Sequence, residues 1–123
     1  MTPGGFHSFE HRWALDEAFR FQRRIGRARI AARTHELNTR FKRGAASMRH
    51  VILRTPRSPS LSAGLVCLEV RGLPPEEVVD RLLRRGVIAT VTPYAESYAR
   101  VAPSVLNTPA EIDGALRALA SLA

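Results

Sequence analysis

From Trp13 to about Arg43 the chain has no proline, and Ala18, Phe21, Ile25, Ala28 and Ala32 recur at alternating steps of three and four. That period predicts a single long helix over 13–44 with one apolar stripe. Leu15, Phe19, Ile30, Leu37 and Phe41 widen the stripe, while Asp16, Arg20, Arg23 and Arg27 fall opposite it, so the helix has a side to bury and a basic side. Gly44 is the expected stop. Residues 1–12 carry Pro3, Gly4 and Gly5 and then an aperiodic polar-aromatic run, which reads as an arm or loop.

Beyond Gly44 the pattern shortens. His50–Thr55 is β-branched and apolar and ends in the turn-rich Pro56-Arg57-Ser58-Pro59-Ser60, and Leu65–Val70 is a nearly continuous apolar run suited to the middle of a sheet. A helix is expected from Pro75, with Glu76 and Glu77 at its positive end and Gly86 closing it. Val87–Thr92 and Ser97–Ala102 read as two further strands. Thr108-Pro109-Ala110-Glu111 is a capping box for a last helix whose apolar face is Ile112, Ala115, Leu116, Leu119 and Leu122. The expected fold class is α+β: a long N-terminal helix, then a small sheet of three or four strands, mixed or antiparallel, with helices on one face. The whole of 1–123 is expected to be one domain, with 45–123 its small α/β sheet part.

Composition sharpens this picture. With 123 residues, 45% of them hydrophobic and 24% charged, the chain can bury a core, and disorder and collagen-like repeats are excluded. The formal net charge is +8, and Lys42 is the one lysine among nineteen basic residues. Lys42 stands beside Arg40 and Arg43 on the long helix and is expected at the surface. The lone Cys67 lies in an apolar run and is expected as a buried thiol acting as a small hydrophobe. Without a signal-peptide pattern or an apolar run of about 20 residues, no membrane is expected and a cytoplasmic protein is.

Candidate chemistry is sparse. His7 and His11 are four apart but have no metalloprotease pattern around them, so no metal site is expected, and His35 and His50 read as surface or core-edge residues. The arginine-rich helix invites a second reading, a basic α/β module for nucleic acid or an acidic protein. Interleaved Asp16, Glu17 and Glu36, and the lack of a helix-turn-helix, zinc finger or stacking platform, weigh against nucleic acid. Arg100 differs from the other arginines, because it sits on a short strand among small and apolar residues. A guanidinium there calls for a carboxylate, which a structural salt bridge and a substrate site supply equally well by spacing alone.

The run Arg100, Pro103-Ser104, Asn107-Thr108, Glu111-Ile112-Asp113 resembles the C-terminal signature of class V aminotransferases, pyridoxal-phosphate enzymes that include cysteine desulfurases and isopenicillin N epimerase-like proteins. Arg84-Arg85-Gly86-Val87-Ile88-Ala89, following Pro75-Glu76-Glu77-Val78, is similar to that family's helix and strand. Thr2 to Leu15, running into Ala18-Phe19-Arg20-Phe21, is similar to its interdomain stretch. The resemblance implies the C-terminal domain of a fold type I enzyme and a role for Arg100 in binding the substrate's α-carboxylate. More weakly, it places Thr2 at the cofactor phosphate, with His7 and Ser8 lining the same region. It also implies an amino-acid substrate, and a missing pyridoxal-phosphate-binding large domain or a homodimer partner. These enzymes hold the cofactor on a lysine. Lys42 lacks the sequence setting of such a lysine, so the chain alone is expected to be inactive and to hold no cofactor covalently.

Overall fold

The computed structural model describes residues 8–123, and the chain divides into two compact units, Met1–Ala31 and Ala32–Ala123. Where the apolar period predicts one helix over 13–44, two form: α1 over Phe9–Ile25 and α2 over Arg27–Ala46. Gly26 separates them with φ 94°, a conformation that side chains bearing a Cβ rarely adopt. Its N–H still bonds the Gln22 carbonyl at 2.9 Å, and its own carbonyl accepts from Ile30 N–H at 3.1 Å. Only one residue leaves the helical conformation, so a sequence period counted in threes and fours runs through the break.

Helix α1 begins at Phe9, inside the segment expected to be an arm. It buries no residue, so the predicted buried side is absent here: Trp13 is 72% exposed, and Phe9, Leu15, Phe19 and Phe21 are exposed as well. Amphipathic periodicity states that a helix has a face to cover, and only a facing element can cover it.

In the second unit the expected architecture is present. Strands β1 (Val51–Leu53), β2 (Val66–Val70), β3 (Thr90–Val91) and β4 (Ala99–Val101) form a four-stranded sheet in the order β1-β2-β4-β3, antiparallel throughout. Helix α3 (Pro75–Leu83) connects β2 to β3, and α4 (Pro109–Ala120) closes the fold. Residues Val66, Leu68 and Val70 of β2 and Ala99 and Val101 of β4 turn inward by the strand period of two. They share one core with Leu37, Phe41 and Ala45 of α2, Val78 and Leu82 of α3, and Ile112 and Leu119 of α4.

Two glycines act differently from one another. Gly86, at φ 77°, ends the α3 region as expected, and Val87 N–H remains tied to the Leu82 carbonyl at 3.0 Å. Residues 87–89 stay outside the strand, which is shorter than its apolar run. Gly44 is no stop, because α2 continues to Ala46. A Cβ at Gly44 would lie 2.5 Å from Leu116 Cδ1 and 3.2 Å from its Cγ, so glycine there lets α4 approach α2 closely. We therefore expect Gly44→Ala to destabilise the chain by about 1–3 kcal/mol through overpacking. Helix propensity alone would give a gain of about 1 kcal/mol. The midpoint of urea unfolding decides between the two signs.

Candidate carboxylate-binding face

The site is built by alternation. Ala99 and Val101 are 1% and 7% exposed on the inner face, so Arg100 between them projects from the open face of the sheet. Its cross-strand neighbours are Cys67 on β2 and Thr90 on β3, giving a row of three side chains across adjacent strands. Arg100 Nε donates to Thr90 Oγ1 at 2.9 Å. Among the described residues no ion pair includes Arg100, and its Nη1 and Nη2 make no hydrogen bond. The structural salt bridge that spacing allowed has not formed.

Cys67 is only partly buried, which corrects the expectation of a core thiol. An antiparallel sheet covered on one face sends alternate residues of even a continuous apolar run outward. Beside it on the open face Arg54, Glu69, Tyr98 and Glu96 are paired with one another. Arg54 Nε donates to Glu69 Oε1 at 2.5 Å, and the Arg54 guanidinium lies 5.4 Å from the centre of the Tyr98 ring. Tyr98 Oη in turn donates to Glu96 Oε2 at 2.8 Å, and this bond raises the tyrosine pKa. Arg100 is therefore a cation of this face that no carboxylate among the described residues neutralises.

The rest of the Arg100–Asp113 signature builds structure. Asn107 Oδ1 accepts from Ser104 N–H at 3.0 Å, closing the turn after β4. Thr108 Oγ1 accepts from Glu111 N–H at 3.2 Å while Glu111 Oε2 accepts from Thr108 N–H at 2.7 Å, so the predicted capping box is complete. Asp113 receives two bonds of 2.7 Å, from Arg40 Nε and Arg40 Nη2, which fasten α4 to α2.

Lys42 is not a surface residue. It is 3% exposed, and its Nζ donates to the carbonyls of Pro56 and Arg57 at 3.2 and 3.0 Å and to Ser62 Oγ at 2.6 Å. All three ammonium donors are used, and burial pushes its pKa down. The buried face of α2 is wider than the apolar stripe and takes in Asn38 and Lys42, one turn apart beside Leu37, Phe41 and Ala45. The loop of residues 56–62 then closes over the amine. Sequence reasoning had no signal for this, since the acceptors are mostly backbone carbonyls. A pyridoxal cofactor needs a free amine, and the only lysine of the chain is caged by three acceptors, so the described residues do not fit covalent attachment of that group.

Thr2 and His7 lie outside the described residues. Ser8 precedes α1, and its hydroxyl bonds Glu10 at 2.5 Å. His50 Nε2 bonds the Leu119 carbonyl at 3.1 Å, joining the start of β1 to the end of α4. Among the described residues no three His, Cys, Asp or Glu side chains are grouped to hold a metal, and no helix is long and apolar enough to cross a membrane.

A one-faced antiparallel sheet with helices packed on its inner side is similar to the C-terminal portion of cysteine desulfurases, whose fold is that of the pyridoxal-phosphate-dependent class V aminotransferases. One such solved structure is the apo cysteine desulfurase of Thermococcus onnurineus NA1. It is 25% identical, with a TM-score of 0.78, over 84% of this chain and 28% of that one. The cysteine desulfurase CsdA of Escherichia coli, in an S-sulfonic acid form, matches at 15% identity and a TM-score of 0.63, over 74% of this chain and 24% of its own, a likeness of fold. The chain thus spans about a quarter of the length of the solved structures it matches. No protein-family model matches it, and no curated protein does.

The carboxylates that fasten α4 set a pH dependence. The Arg40 guanidinium holds Asp113 below the usual carboxylate range, and the Thr108 N–H does the same for Glu111. A folded-state pKa below the unfolded one gives stability that is present above the unfolded pKa and is lost as pH falls through the folded one. We expect the urea midpoint to drop on acidification through and below the ordinary carboxylate range. In the double variant Asp113→Asn, Glu111→Gln the drop should be smaller, because that part of the stability is already missing at neutral pH.

Proposed function

We propose that this chain is the C-terminal segment of a class V pyridoxal-phosphate-dependent enzyme acting on an amino acid, and that its contribution to the reaction is to hold the substrate's α-carboxylate on Arg100. The carrying observation is the guanidinium of half-buried Arg100 on an open sheet face, with both Nη groups unbonded and no carboxylate partner among the described residues. Such a group binds a planar carboxylate through two parallel charge-assisted bonds, which fixes orientation as well as position.

The cofactor and its lysine belong, on this reading, to a large domain carried elsewhere. The caged Lys42 supports that division, as does the match to about a quarter of a cysteine desulfurase. The exposed aromatic residues of α1, Phe9, Trp13, Phe19 and Phe21, are the surface we assign to such a domain or to a second copy. Transamination, epimerisation and carbon–sulfur cleavage share this scaffold, and one carboxylate anchor serves all three.

Two measurements test the reading. L-alanine should shift the Arg100 side-chain resonances saturably, with a dissociation constant of roughly millimolar order, about −4 kcal/mol. Alaninamide, which lacks the carboxylate, should not, and Arg100→Gln should abolish the effect. Equal shifts with both ligands would contradict it. Separately, pyridoxal phosphate followed by borohydride should leave Lys42 unmodified in the folded chain. Stoichiometric labelling of Lys42 would show that this chain carries its own cofactor amine.

A further inference from the structure

An arginine offers a carboxylate two forks, one from Nε–H with a neighbouring Nη–H and one from the two Nη groups at the end of the guanidinium. This chain shows the first at Arg40, whose Nε and Nη2 grip Asp113 at 2.7 Å each. At Arg100 the same fork is closed, because Nε already donates to Thr90 Oγ1 at 2.9 Å. Thr90 is the direct cross-strand partner of Arg100, so both side chains leave the sheet on the same face, and Thr90 reaches Arg100 from the edge strand β3. On the other flank Cys67 makes no side-chain bond to the guanidinium. The bond to Thr90 fixes the plane of the guanidinium and leaves only the terminal fork for a ligand.

We propose that Thr90 is a positioning residue for Arg100, and that it selects end-on binding of the substrate carboxylate through Nη1 and Nη2. The inference rests on the carboxylate role of Arg100 argued above. A hydroxyl on the neighbouring strand holds a long side chain that otherwise samples many rotamers, so less freedom is lost when the ligand binds. Threonine suits the position twice over, since its β-branch favours a strand and its Oγ accepts the bond. A carboxylate in place of Thr90 would neutralise the guanidinium and remove the site, whereas a hydroxyl aligns it and keeps its charge.

The test uses the full 123-residue chain, with the Arg100 side-chain nitrogen signals assigned by their loss in Arg100→Lys and with sodium propionate as the carboxylate probe. In the wild-type chain propionate should move the Nη signals of Arg100 and leave its Nε–H in place. Thr90→Val keeps the shape but removes the acceptor. It should raise exchange of the Nε–H with water by about tenfold, the loss of one ordinary hydrogen bond, and should allow propionate to move the Nε–H signal. Thr90→Ser should restore wild-type behaviour, which a purely structural effect of the threonine methyl would not. Exchange within twofold of wild type in Thr90→Val, or propionate moving the Nε–H equally in both proteins, overturns the role of Thr90. Propionate moving no Arg100 signal in either protein overturns instead the carboxylate reading on which it rests.

Discussion

The candidate site depends on a one-residue alternation. Because Ala99 and Val101 must face inward to complete the core, Arg100 has no choice but the open face of the sheet. Slipping β4 by one residue would bury a guanidinium and expose two core side chains, at a cost no packing elsewhere could offset. The partners on either side are fixed in the same way, for the antiparallel register places Cys67 and Thr90 opposite Arg100. The chemistry of the face follows from the hydrophobic pattern beneath it.

Helix α2 adds both apolar and polar contacts to the core beneath this sheet. Leu37, Phe41 and Ala45 supply its apolar contacts, while Asn38, Arg40 and Lys42 make polar bonds to other segments of the second unit. Asn38 Nδ2 reaches the Pro103 carbonyl just after β4, Arg40 grips Asp113 on α4, and Lys42 holds the loop before β2. Each bond restrains a connection that apolar packing alone would leave free. The basic character of the chain is therefore partly architectural, and the lone lysine is a buried strut.

Much of this second unit was readable from residue order. Thr108 and Glu111 announced their capping box because both partners lie within one turn, and the alternating strands showed themselves because burial on one face imposes a period of two. What stayed hidden depended on contacts distant in sequence or on single backbone angles. Gly26 breaks a helix without breaking its period, and Gly44, expected to end a helix, lies within it, where a Cβ would meet Leu116. Lys42 was unreadable because two of its three acceptors are main-chain carbonyls, which have no sequence signature. Arg100 could be singled out from its apolar neighbours, but that no carboxylate among the described residues pairs with it is visible only in the folded chain.

The face bearing Arg100 is open while the opposite face is packed, and the role proposed for Arg100 depends on that difference. Cys67, the direct neighbour of Arg100, reports on it through its reaction with a thiol–disulfide reagent. In native buffer Cys67 should react fully without prior unfolding, whereas a thiol moved to the inner face, by Leu68→Cys with Cys67→Ala, should react only as the chain unfolds. A native Cys67 that stays inert until denaturant is added would contradict the account.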